Sequence, residues 1–161
     1  MMLFTHKVRV YACAGLFISA VLCAAFFISA KDGRFLEIRD TGTGMLYGSY
    51  ELEGGNGFSL EFIHSVNQSP VRETYVQEEG RIRPYSVRFS SFGAGMTSDL
   101  EEGLRLTRDE DAMIITGFKK SYKEISFIVG TVSDHLLYLS GPAISLRELC
   151  GKNAHITFRL K

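Results

Sequence analysis

Residues 58–65 read Phe-Ser-Leu-Glu-Phe-Ile-His-Ser, and their alternation decides the fold class. Phe58, Leu60 and Phe62 share one parity, against Ser59, Glu61 and Ile63. A period of two puts every second side chain on one face of a pleated strand, so this segment lays one face against a core. The same period recurs further along the chain. Tyr85, Val87 and Phe89 alternate with Ser86, Arg88 and Ser90. Ile125, Phe127 and Val129 share a parity, as do Ile156, Phe158 and Leu160 against His155, Thr157 and Arg159.

Turn chemistry separates these runs. TGTG at 41–44 precedes a strand expected near 45–52, and GGNG at 54–57 reads as a hairpin turn leading into 58–65. NQSP at 67–70 ends that strand and starts another near 71–78. Glu79-Gly80 leads to a long strand near 81–92, in which Pro84 marks an edge or a bulge. Further strands are expected near 112–116, 122–130, 134–140 and 154–160. About eight short antiparallel strands at this spacing make an all-β sandwich or barrel. Two stretches admit a helical turn: residues 99–106, which read equally as a polar loop, and residues 142–150, with Pro at the start and Gly151 after the end.

Ahead of this domain, residues 10–30 carry no charge. At ~1.5 Å rise per residue such a run spans about 30 Å, the hydrocarbon core of a bilayer. Lys7 and Arg9 precede it, so the positive-inside rule leaves residues 1–9 in the cytoplasm and places residues 31–161 outside. The expectation is a single-pass inner-membrane protein with a periplasmic domain. The competing reading is a signal peptide cut after Ala25 or Ala30, which would release the domain into the periplasm.

The 161 residues hold 18 Lys+Arg and 18 Asp+Glu. With Lys7 and Arg9 set aside, the domain is slightly acidic and has no basic stripe, which argues against nucleic acid as a partner. Of three cysteines, Cys13 and Cys23 lie in the apolar run, so Cys150 is alone in the domain and no internal disulfide is expected there. No Cys/His group has zinc-ligand spacing, and no cofactor is expected.

The polar residues worth weighing lie at strand ends. His64 continues the inward row of Phe62, and His135 opens a strand with Leu137 and Leu139 on its parity. Each is read either as a structural histidine tied to a backbone carbonyl or as a ligand-facing group, and the two could meet at one rim. Glu73 is a partner for His64 or Arg72, or a surface carboxylate. The hairpin register that decides between these stays open. Gly93-Ala94-Gly95 is read as a β-corner or as a concavity of backbone N–H groups. Ser65 is no nucleophile for His64, because strand neighbours point to opposite faces. No nucleophile elbow or phosphate loop is present, so no enzymatic activity is expected.

FIHSVNQSPVRE at 62–73, with SSFGAGM at 90–96, resembles the domain of unknown function 1850 family. His64, Ser65, Val66, Ser69, Pro70, Val71 and Glu73 match its first element, and Phe92, Gly93, Ala94 and Gly95 its second. Met96-Thr97 depart from the Leu-Pro usual there. The resemblance implies a small protein with an N-terminal membrane segment, encoded beside TAXI-type TRAP transporters. The function expected from it is an accessory of a solute transporter that binds a transporter subunit, a solute-binding protein or a small organic anion. His64, Ser65, Pro70, Glu73, Gly93, Gly95 and His135 are the candidate binding residues. The alternative is an extracytoplasmic sensor module that binds a ligand or metal through His64 and His135.

Overall fold

A computed structural model describes residues 35–55, 57–90 and 100–161. The uncharged run at 10–30 and the glycines Gly93 and Gly95 lie outside the described residues. Among the described residues no helix is long and apolar enough to cross a membrane.

The period-two segments form strands, and all strand pairs are antiparallel. Among the described residues eleven strands run β1 (Phe35–Asp40), β2 (Leu46–Glu51), β3 (Phe58–Ile63), β4 (Pro70–Glu78), β5 (Arg81–Phe89), β6 (Arg105–Asp109), β7 (Ala112–Thr116), β8 (Glu124–Ile128), β9 (His135–Tyr138), β10 (Ile144–Ser145) and β11 (His155–Leu160). They make a four-stranded sheet, β2-β1-β11-β8, and a seven-stranded sheet, β10-β9-β3-β4-β5-β7-β6. One short helix, α1 (Leu146–Cys150), separates β10 from β11.

The inward rows of the two sheets meet in one core. Leu36, Ile38, Ile156 and Phe158 of the smaller sheet pack with Phe58, Leu60, Tyr75, Ile82 and Leu137 of the larger. Phe58 stacks between Tyr75 and Phe158, with ring centroids 5.1 and 5.6 Å away. Each such ring buries a large apolar area, so these aromatics contribute much of the cohesion between the sheets. A second cluster, Val71, Phe89 and Met113, lies on the larger sheet toward β7.

Several local expectations change. The glycine-rich stretch at 54–57 makes no hairpin: β2 and β3 belong to different sheets, and a 3-10 turn at Glu53–Gly55 carries the chain between them. Gly57 is required there, because a Cβ would sit 1.9 Å from the Tyr75 carbonyl oxygen. Within residues 100–106 there is no helix; Leu104 leads directly into β6. The helical turn at 142–150 begins only at Leu146, capped by Ser145, because Ile144 and Ser145 pair with β9. Pro84 does mark a bulge. Tyr75 pairs with Pro84 while Thr74 pairs with Ser86, which leaves Tyr85 as the extra residue. The bulge reverses parity, so Tyr85 is exposed while Ile82, Val87 and Phe89 still face inward.

Candidate functional site

The β3–β4 connection is a six-residue turn, and its register settles the geometry around His64. Ile63 pairs with Pro70, and the His64 N–H donates to the Ser69 carbonyl at 2.9 Å. Gln68 closes the turn with φ 51°, its N–H donating to the His64 carbonyl. The His64 ring is drawn back over this turn, where Nδ1 accepts the N–H groups of Val66 and Asn67, both at 3.3 Å.

His135 reaches the same place from β9. It pairs in register with Phe62 and stacks on that ring. Its Nδ1 accepts the Gly130 N–H at 3.1 Å. The loop between β8 and β9 is fastened by side chains. Ser133 Oγ spans both the N–H and the carbonyl of Ile63, at 3.2 and 3.3 Å, where β9 stops pairing with β3. Asp134 accepts the Ser145 hydroxyl and the Arg147 N–H, and Arg147 donates to the Gly130 carbonyl. Gly130 has no room for a side chain: a Cβ would meet the Ser133 carbonyl oxygen at 2.2 Å.

Between turn and loop lies a cavity of about 430 Å³, lined by His64, Ser65, Gln68, Gly130, Ser133 and His135 among others. The structure therefore brings His64, Ser65 and His135 together. A backbone N–H can only donate, so each Nδ1 presents a lone pair and each neutral ring carries its proton on Nε2. Among the described residues neither Nε2 has a hydrogen-bond partner, and Ser65 and His135 share no hydrogen bond. Burial lowers the His135 pKa, with the Arg147 charge adding to the effect and Asp134 opposing it. Burial thus favours the neutral form of His135, and in both rings Nδ1 accepts from the backbone rather than giving Nδ1–H to a carbonyl. Two apolar side chains that line the cavity, Ile63 and Val132, are exposed, Val132 at 86%.

The remaining candidates lie elsewhere. Glu73 faces Leu60 and Val87 within the sheet, and its Oε2 accepts the Tyr75 hydroxyl at 2.6 Å. It is half-buried and bonded to Tyr75 rather than to Arg72, which is bound to Glu61 at 2.8 Å. Pro70 lines a different cavity, of about 270 Å³, with Arg72 and Arg88. These two arginines face each other across β4 and β5 and are each bonded to a carboxylate, Glu61 and Asp109. Burial pushes the Cys150 thiol up to about 11, far from nucleophilic range at neutral pH. Among the described residues no group of three or more His, Cys, Asp or Glu is arranged to hold a metal. Gly130 and Ser133 had no motif to announce them; only their place before His135 could have done so.

Comparison with curated proteins gives no match, and comparison with solved structures gives none. A family model described as "Domain of unknown function (DUF1850)" matches residues 58–146, from the start of β3 to the first residue of α1, and so takes in both walls of the histidine cavity. The chain belongs to the domain of unknown function 1850 family.

Proposed function

We propose that the chain is a membrane-tethered, extracytoplasmic accessory of a solute transporter, and that its cavity binds an acceptor group, a carboxylate foremost, on a small organic anion or a transport component. One observation carries the binding part: two imidazoles on one cavity, each with Nδ1 occupied by backbone N–H and with Nε2 left without a partner among the described residues. Such donors suit an anionic oxygen, since a hydrogen bond to a charged acceptor is roughly twice as strong as a neutral one. The tether and the transporter rest on the uncharged run at 10–30 and on the neighbourhood that the family resemblance implies.

The metal-sensor alternative fares worse on the same observation. Coordination through Nε2 needs the proton on Nδ1, where it would face a backbone donor. Metal-bound histidines instead give that N–H to a carbonyl or carboxylate.

The test is a thermal melt of the full chain in mild detergent, with succinate, benzoate or zinc. Binding to the native state must raise the melting temperature. Millimolar carboxylate should raise it in the wild type and not in His64→Ala or His135→Ala, and zinc should not. No shift with either carboxylate would sink the binding reading. The transporter association has its own test: the tagged chain purified from membranes should bring a transport component with it.

A further inference from the structure

Among the described residues the seven-stranded sheet ends on β6, and all five residues of that strand are exposed. β6 and β7 are joined by the two-residue turn Glu110-Asp111, with Asp109 opposite Ala112. In such a hairpin the pair flanking the turn is hydrogen-bonded and pairs alternate from there. Asp109, Thr107 and Arg105 therefore bond to β7, while the N–H and C=O groups of Leu106 and Arg108 point outward from the sheet.

We propose that β6 is a homodimer interface, in which two copies of the chain pair these edges antiparallel about Thr107. The hydrogen-bonding phase fits. Leu106 falls opposite Arg108 of the partner subunit, so the outward-pointing residues meet each other and exchange both bonds. The charges fit as well. Arg105 and Asp109 stand two residues either side of Thr107, so the twofold operation sets Arg105 against Asp109 of the partner subunit, twice. Arg105 has no ion-pair partner among the described residues, and Asp109 is held only by Arg88 and the Glu110 N–H. On the other face, exposed Leu106 lies next to Ile115 and gains the aliphatic stem of Arg108 of the partner subunit.

Edge strands often use charge to repel a neighbouring edge. Here opposite signs sit at equal distances from a central Thr, and twofold pairing neutralises them. A five-residue edge buries little area, so the dimer should be concentration-dependent.

Oxidative cross-linking of the full chain in mild detergent tests this, with the unsubstituted chain as control for Cys13, Cys23 and Cys150. Thr107→Cys stands opposite itself in a non-hydrogen-bonded pair, where side chains are closest, and should give a covalent dimer at least about tenfold faster than Leu106→Cys. By light scattering, Arg105→Asp should weaken association about tenfold, and Arg105→Asp with Asp109→Arg should restore it. A chain that stays monomeric at every concentration overturns the proposal. So does a dimer in which Leu106→Cys cross-links as fast as Thr107→Cys, because its contact lies elsewhere.

Discussion

His135 stacks on Phe62, its register partner across β9 and β3, with ring centroids 5.0 Å apart and planes at 29°. The contact fixes the imidazole against an apolar wall while Gly130 N–H occupies Nδ1. Protonating that nitrogen would point its new hydrogen at another donor, in a setting where burial already disfavours charge.

The first prediction concerns pH. His135 has a folded pKa below its ordinary 6.5, so the unfolded chain takes up this proton first. The stability tied to neutral His135 is present in full above about pH 6.5 and is lost as pH falls through the folded value. An NMR titration of the imidazole should give a midpoint below 6.5. A midpoint at or above it would contradict the lone-pair role of Nδ1. Carboxylate binding at His135 should persist at neutral pH, because the donor needed is the neutral ring.

The cavity loop depends on Gly130. Alanine there would place a Cβ 2.2 Å from a backbone oxygen, so the loop must move. Gly130→Ala should cost about 1–3 kcal/mol, the usual range for overpacking a rigid site, and should displace the Nδ1 anchor of His135. Thermal melting reads the first effect, and loss of the carboxylate-dependent shift the second. Ser133→Ala removes the bridge to Ile63 without a clash, so it should weaken binding more than it lowers the melting temperature.

Helix α1 acts on the cavity from behind. Ser145 Oγ accepts the Glu148 N–H at 3.0 Å and donates to Asp134, which also takes the Arg147 N–H. Ser145→Ala loses an N-cap, worth about 1 kcal/mol, and frees Asp134 from β10. Hydrogen exchange should then quicken in residues 130–135 as well as in α1. Quickening confined to α1 would show that cap and loop are independent.

Much of this fold was legible because one face of nearly every strand is buried. Phe58, Leu60, Ile156 and Phe158 alternate strictly, and all four enter the core. Where burial fails, so does the pattern: β6 is exposed throughout, no strand is expected over it, and its first two residues fall in the stretch 99–106 that admits a helical turn or a loop. β1 escaped notice although Leu36 and Ile38 alternate with Glu37 and Arg39, because the run is only six residues long and Phe35 breaks its alternation at the start. The meeting of His64 and His135 was open in the sequence as a possibility of parity. Only strand order, with β9 beside β3, brings them to one cavity. Glu73 shows the limit from the other side: its turn length fixed its face, and no motif gives a turn length.

Glu37 supplies the last prediction. Its carboxylate is 3% exposed on the outer face of the smaller sheet. Arg39 Nε lies 2.9 Å from Oε2, with Arg159 Nε and Lys161 Nζ each 3.7 Å from the carboxylate. The Arg39 hydrogen bond holds the pKa below its ordinary 4.5, with the three cations assisting and burial opposing. A depressed folded value means the contribution is present above about pH 4.5 and lost as pH falls through the folded pKa. Glu37→Gln removes the anion and leaves three cations around a neutral amide. At pH 7 it should cost about 1–3 kcal/mol, the range for losing a charged hydrogen bond. At pH 3 the gap between wild type and variant should be smaller, because part of the contribution is lost once pH falls below the ordinary 4.5. Urea midpoints at the two pH values decide it. An equal loss at both would mean that Glu37 matters through shape and packing, and that the three cations do not depend on its charge.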